Sequence, residues 1–156
     1  EILDRNPDAR IFGPAGVAAA TSEFTIEVVK HGDAIVVDPF ALRFFGSEHA
    51  VIHSSIPVVD NVGVLINDEL YYAGDSYTLP QGVEVGTLAV PAGAPWLKIG
   101  DVMDYVMAVA PRRSFPVHEM VLSTAGKTMS NARIQSATEA GGGTFFPLEP
   151  GESVDL

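Results

Sequence analysis

The hydrophobic period of the chain changes near Ile99, and this change constrains the fold more than any other feature of the sequence. Before it, apolar and polar residues alternate over short runs such as Phe24 to Val28, a pattern that is typical of β-strands. From Ile99 to Ala110 the apolar residues recur at helical spacing. Strands followed by alternating strands and helices predict a sheet with helices packed on it.

The same patterns predict the individual elements. Gly32-Asp33 is predicted to form a hairpin turn, and Pro7 and Pro111 are expected to end helices because proline cannot continue one. The chain has no repeat and no linker, so residues 1–156 are expected to form a single domain. Predicted helices cover 1–6, 15–22, 99–110 and 127–140, and predicted strands cover 9–12, 24–28, 34–37, 41–45, 62–66, 70–73, 85–90, 114–117, 144–148 and 153–156.

The charge and composition of the chain exclude several classes of partner and site. Nine Lys and Arg residues against twenty Asp and Glu residues give a formal net charge of -11. Such a surface repels phosphate backbones and anionic lipid, so we expect neither nucleic acid nor a membrane as a partner. No apolar run approaches the roughly 18–20 residues of a membrane helix. The absence of cysteine excludes disulfides and thiolate zinc sites.

Three of the four histidines and one aspartate lie just beyond the ends of predicted strands. His49 and His53 follow one strand, Asp75 follows another, and His118 follows a third. Loops at strand ends commonly carry binding residues, and imidazole and carboxylate are ligands of Zn²⁺, Mn²⁺ and Fe²⁺. Each residue alone is more often a hydrogen-bonded loop or turn residue. The ordered set nevertheless indicates a metal site.

Six segments occur in an order and spacing that extend this pattern over nearly the whole chain. They are His49-Ala50-Val51-Ile52-His53, Asn61-Val62-Gly63-Val64-Leu65-Ile66, Ala73-Gly74-Asp75-Ser76, Ala94-Pro95-Trp96-Leu97-Lys98, Pro116-Val117-His118 and Leu148-Glu149-Pro150-Gly151-Glu152. With them, the chain from about Ala9 to Leu156 resembles the carboxyl-terminal two thirds of a metallo-β-lactamase-fold hydrolase of the UlaG-like branch. The resemblance implies an α+β fold, a four-layer αββα sandwich, and a cytoplasmic protein.

The resemblance also implies the composition of the site. His49, Asp75 and His118 would be metal ligands, with Asp75 bridging two ions, and His53 would orient the site. One or two ions of Zn²⁺, or of Mn²⁺ or Fe²⁺, would supply a metal-bound hydroxide that attacks an ester, lactone, amide or phosphoester of a small molecule.

Two further residues are expected at the substrate pocket, each with a structural alternative. Trp96 would form a substrate-facing wall, although a buried anchor for its own loop is an equal alternative. Lys98 would neutralise an anionic substrate, although a solvated lysine at the start of a helix fits the sequence better.

One departure limits what the resemblance implies. The His-x-His-x-Asp-His motif of that family has no counterpart here, and the family places it upstream of the position of Glu1. We therefore expect a truncated domain whose parent protein is an enzyme, while this chain carries only part of the metal site. One alternative is a metal-free, non-catalytic remnant that acts as a binding or structural module, assembled with a second copy or with a complementing amino-terminal segment.

Another alternative is a small ligand-binding protein unrelated to that family. In such a protein His49, Asp75 and His118 would lie more than about 10 Å apart, farther than the ligands of one ion can be.

Overall fold

The structure, a computed structural model, describes residues 2–156, so Glu1, the first residue of the first predicted helix, lies outside them. The described part of the chain contains four helices and nine strands. In chain order the elements are α1 (Ile2–Arg5), β1 (Ile11–Gly13), α2 (Ala15–Ala20), β2 (Ile26–Val28), β3 (Ala34–Val37), β4 (Phe40–Phe45), β5 (Gly63–Ile66), β6 (Leu70–Tyr72), β7 (Thr87–Pro91), α3 (Ile99–Val109), β8 (Arg113–Val117), α4 (Thr124–Ala140) and β9 (Thr144–Phe145).

The strands β3 to β9 form one seven-stranded sheet in which the spatial order follows the chain order. The pairs from β3 to β6 are antiparallel, and the pairs from β6 to β9 are parallel. The strands β4, β6, β7 and β8 therefore run in the same direction. Their carboxyl ends lie at the same end of the sheet, where residues from distant parts of the sequence can meet.

The core lies between this sheet and the helices α3 and α4. The helical period of α3 turns Val102, Tyr105 and Val106 inward, and Ile134 of α4 is fully buried beside them. The strand β7 is buried along its whole length, as expected for a parallel strand covered by helices. No helix in residues 2–156 has both the length and the apolar character that crossing a bilayer requires.

The α+β class predicted from the sequence is confirmed by the mixed sheet and its helices. The four-layer αββα sandwich is not complete in residues 2–156, because the second sheet contains only β1 and β2. This small sheet contacts the large one through Phe12 and Phe44, whose ring centroids lie 6.3 Å apart.

Two element predictions are wrong. The strand β2 does not form a hairpin with β3 but pairs in parallel with β1, with Ile11 opposite Ile26. The Gly32-Asp33 turn instead leads into the β3–β4 pair, where the backbone N–H of Gly32 donates to the carbonyl of Phe44. The predicted strand 153–156 has no regular structure. Pro150 and Gly151 precede it, and these residues favour a turn rather than a ladder.

The carboxylate of Glu69 connects the strands at the opposite end of the sheet through hydrogen bonds. Glu69 accepts hydrogen bonds from Thr87 (3.1 Å), Arg112 (2.6 Å) and Arg113 (2.5 Å), and its side chain is 23% exposed. Partial burial raises the pKa of Glu69, but the bonds from Arg113 and Thr87 and the two arginine charges outweigh it. They hold the pKa below its ordinary value of 4.5.

The Glu69→Gln chain is therefore expected to be less stable by about 1–3 kcal/mol near neutral pH, because hydrogen bonds to a charged group are lost. A lowered pKa in the folded state contributes stability above the ordinary value, and this stability disappears as the pH falls below 4.5. Urea denaturation across this range measures the difference. Glu84→Gln, at an exposed position, is the control. A difference that persists unchanged at acid pH would contradict the assignment.

Two buried tyrosines provide a matched test of hydrogen bonding in the core. The Tyr71 hydroxyl donates to the carbonyl of Thr78 at 2.9 Å, whereas the Tyr105 hydroxyl has no hydrogen-bond partner in residues 2–156. Tyr71→Phe is expected to destabilise the fold by about 1 kcal/mol. Tyr105→Phe is expected to be neutral or stabilising, because it removes an uncompensated buried hydroxyl. Unfolding free energies of the two variants measure the contrast, and equal losses would refute it.

Candidate metal centre

Three polar loops meet at the end of the sheet where the strands β4, β6 and β8 terminate. His49 lies in the loop after β4, Asp75 in the loop after β6, and His118 directly after β8. Gly74 has a φ of +67°, a left-handed conformation that turns the chain sharply before Asp75. The shared direction of the strands, rather than proximity in the sequence, brings these residues together.

The carboxylate of Asp75 lies between the two imidazoles. Its Oδ2 is 3.3 Å from Nε2 of His49, and its Oδ1 is 3.4 Å from Nε2 of His118. All three side chains are partly buried. The structure thus joins the three residues that the sequence predicts as ligands, and the wide separation expected of an unrelated ligand-binding protein is not found.

The hydrogen bonds of the two imidazoles determine which nitrogen faces Asp75 with a lone pair. Nδ1 of His49 lies 2.5 Å from the carbonyl oxygen of Ala50, and Nδ1 of His118 lies 2.6 Å from that of Gly93. A carbonyl only accepts, so each Nδ1 must be the donor. In a neutral imidazole Nε2 then carries the lone pair. If both imidazoles are neutral, two lone pairs face an anionic carboxylate, and this repulsive arrangement is relieved either by a cation between the groups or by a second proton on the imidazoles.

The pairwise distances among these groups resemble those between neighbouring ligands of a divalent metal. Two ligands that each lie 2.0–2.2 Å from a tetrahedral ion are about 3.3–3.6 Å apart. Both nitrogen–oxygen distances at Asp75 fall within or close to this range. The histidines face different oxygens of the carboxylate, and no group of three or more His, Asp or Glu side chains in residues 2–156 is arranged to hold a metal ion. The arrangement is that of a carboxylate placed between two imidazoles, with one oxygen near each.

A residue to which sequence reasoning assigned no role fixes the loop that carries Asp75. The Asn61 Oδ1 accepts from the backbone N–H of Asp75 at 2.9 Å, and its Nδ2 donates to the carbonyl of Ala73 at 2.9 Å. The backbone N–H of Ala50 also donates to the carbonyl of Asp75 at 2.7 Å, which links the loops of His49 and Asp75. The sequence signal for Asn61 is weak, because an amide that satisfies a distant turn follows no periodic pattern.

His118 adopts an unusual backbone conformation, with a φ of +61°. A left-handed non-glycine residue is strained and persists only where its surroundings hold it. Here Nδ1 bonds to Gly93, and the carbonyl of Val117 accepts from the N–H of Ala92. In this conformation the imidazole of His118 faces Asp75.

A cleft of about 530 Å³ opens beside His49. Trp96 and Tyr77 line it, and the Trp96 and His49 rings lie with centroids 5.9 Å apart at an interplanar angle of 77°. Trp96 thus lines the cleft and also packs against Tyr77, and its role toward a substrate stays a prediction. Burial, and then the charge of Asp101, raise the pKa of Tyr77 to about 12, so it stays a neutral phenol.

His53 and Lys98 lie apart from these groups. His53 is exposed, and its Nδ1 bonds with the hydroxyl of Ser55 at 2.7 Å. The Lys98 side chain is 79% exposed and lies 3.3 Å from Asp101. Across the described chain, neither side chain has a hydrogen bond or ion pair to His49, Asp75 or His118. The orienting role of His53 and the anion-binding role of Lys98 remain predictions without a supporting contact.

A curated protein resembles the chain over nearly its whole length. Protein Rv0786c of Mycobacterium tuberculosis is 34% identical to it, in an alignment that covers 98% of this chain and 72% of that protein. No protein-family model matches the chain.

Several solved structures share the fold. Igni18, a metallo hydrolase from the hyperthermophilic archaeon Ignicoccus hospitalis, matches with a TM-score of 0.68 and 16% identity over 98% of this chain and 70% of that one. A protein named as a metal-dependent hydrolase from Parabacteroides distasonis matches at 0.63 and 12% identity, over 89% of this chain and 64% of that one. CmlA, a diiron β-hydroxylase from Streptomyces venezuelae, matches at 0.60 and 12% identity, over 88% and 38%. Likeness at these identities shows the fold alone.

These comparisons correct the family assignment made from the sequence. The assignment to the UlaG-like branch of the metallo-β-lactamase-fold hydrolases is wrong, because the matched proteins are Protein Rv0786c, metal-dependent hydrolases of the Igni18 kind and a diiron hydroxylase. Three of the six segments that suggested it are short strand-end loops that carry His or Asp. Loops of this kind occur on many folds and do not identify one family.

Proposed function

We propose that this chain, which belongs to the family of Protein Rv0786c of Mycobacterium tuberculosis, holds a divalent metal and acts as a metal-dependent hydrolase. One observation carries the proposal: the Nε2 atoms of His49 and His118 both face the Asp75 carboxylate while each Nδ1 is committed to a backbone carbonyl. The names of two structural neighbours as metal hydrolases support the same class of chemistry.

The residues of this chain would have distinct roles at such a site. His49, Asp75 and His118 would hold one or two ions of Zn²⁺, Mn²⁺ or Fe²⁺, and the carbonyls of Ala50 and Gly93 would fix the two imidazoles in the ligating tautomer. A bound ion would polarise a carbonyl or phosphoryl oxygen and lower the pKa of water. The cleft beside Trp96 would receive the rest of an ester, lactone, amide or phosphoester.

A second candidate is a metal-free binding module. It is favoured by the sharing of Asp75 between two histidines and by the lack of a complete ligand group in the described residues. In that case both imidazoles would be protonated and ion-paired with Asp75. The two candidates predict opposite outcomes in a metal titration.

The test is calorimetric titration of the EDTA-treated chain with Zn²⁺ and Mn²⁺, followed by ester hydrolysis with and without the metal. We expect saturable binding that His49→Ala and His118→Ala each weaken by more than about 100-fold, since a lost ligand should exceed the roughly 10- to 100-fold effect of an outer contact. His53→Ala is the matched control, because that imidazole is exposed. Binding that is absent, or equal in all the chains, would favour the metal-free module.

A further inference from the structure

The cleft beside His49 is lined by two carboxylates and by no Lys or Arg side chain. The carboxylates belong to Glu48 and Asp101. An anionic group in this cleft would face both carboxylates without a counter-charge, whereas a cation would be attracted by both.

Lys98 reduces this field only slightly. Its ammonium lies 3.3 Å from Asp101, but the Lys98 side chain is 79% exposed and that of Asp101 is 50% exposed. Exposed pairs of this kind are weak and screened by salt. Glu48 has no ion pair in residues 2–156, so its charge is not offset by a neighbour.

The aromatic side chains give the cleft a second feature that suits a cation. The Trp96 and Tyr77 rings lie 5.2 Å apart at 69°, so they form a corner in the cleft wall. Aromatic faces attract ammonium groups through their quadrupole, most strongly when the cation carries apolar substituents and is partly desolvated. The combination of an aromatic corner with nearby carboxylates is selective for such cations over anions.

We propose that this cleft binds a substituted ammonium group of the substrate between Trp96, Tyr77, Glu48 and Asp101. The substrate class is then an ester or amide that also carries an amine or quaternary ammonium group, with the hydrolysed bond directed toward His49 and Asp75. The reaction in this statement rests on the proposed function, whereas binding of the cation does not.

The single tryptophan gives a direct measurement. With EDTA present, the chain is titrated with choline and with 3,3-dimethyl-1-butanol, the uncharged carbon analogue, at constant ionic strength while the fluorescence of Trp96 is recorded. We expect saturable binding of choline and at least about fivefold weaker binding of the alcohol, because only choline gains the cation–π attraction. Equal affinities, or no binding of choline, would overturn the inference.

Charge variants test the two carboxylates. Glu48→Gln and Asp101→Asn are each expected to weaken choline binding by about twofold to fivefold, the range of an exposed charge pair, and to leave binding of the alcohol unchanged. Asp104→Asn, at an exposed acid of the same helix outside the cleft lining, is the matched control. Choline binding that is unaffected by both cleft variants would also overturn the inference.

The outcomes separate this inference from the proposed function. Zn²⁺ binding without choline binding would refute only the ammonium site. Choline binding without Zn²⁺ binding would refute only the hydrolase.

Discussion

The Asp75→Asn chain is expected to lose Zn²⁺ affinity by more than about 100-fold while its metal-free form unfolds at the same temperature or a higher one. Asparagine keeps the shape of the side chain but removes the charge that a cation needs. It also supplies an N–H that can donate to the Nε2 of one histidine. In the unchanged chain the two Nε2 atoms lie 3.3 and 3.4 Å from the carboxylate oxygens of Asp75. A repulsive contact would then become a hydrogen bond worth about 1 kcal/mol.

Paired measurements establish this separation. Calorimetric titration gives the metal affinity, and thermal unfolding in EDTA gives the stability. Asp104→Asn is the control for general removal of negative charge, and it should change neither quantity appreciably. If Asp75→Asn instead destabilised the metal-free chain by about 1 kcal/mol or more, Asp75 would be an ion-pair partner of protonated histidines, as in the metal-free module.

Gly74→Ala is expected to have the largest effect on stability, a loss of about 2–4 kcal/mol. An alanine Cβ at this position would lie 2.3 Å from Oδ1 of Asn61, the atom that accepts from the N–H of Asp75. The new side chain would therefore break that hydrogen bond and also adopt a left-handed φ of +67°. The Asp75 loop would shift, so we expect metal affinity to fall as well.

Gly82→Ala separates the two causes. Gly82 has a φ of +76°, but a Cβ there meets nothing within 4 Å, so only the conformational strain of about 1–2 kcal/mol applies. Denaturant unfolding and Zn²⁺ titration of both variants should show a smaller loss and unchanged metal affinity for Gly82→Ala. Equal losses in the two chains would show that Asn61 does not hold the Asp75 loop.

The sequence predicted the elements that local patterns determine. The strand β3 and the helix α3 were located within one residue, because alternation and helical spacing are properties of neighbouring residues. The placement of His49, Asp75 and His118 after strands suggested one site, whereas the shared direction of β4, β6 and β8 that brings them together was not predicted. The roles of the three residues as ligands remain predictions.

Other features depend on contacts between distant residues and left no local signal. The parallel pairing of β1 with β2 joins segments that look like independent strands. Asn61 bonds across 14 residues to the backbone of Asp75, and no spacing rule specifies such a contact.

The sequential order of the strands has a consequence for the kinetics of folding. In the antiparallel part, each strand from β3 to β6 pairs with the next strand along the chain. Contacts between neighbouring segments of this kind form rapidly. The parallel strands need crossovers, and β8 can join β7 only after α3 has traversed the sheet. His118 lies beyond β8, so we expect the imidazole of His118 to reach Asp75 only in the last steps of folding. A metal that requires both residues would then stabilise the fully assembled sheet over partly folded chains.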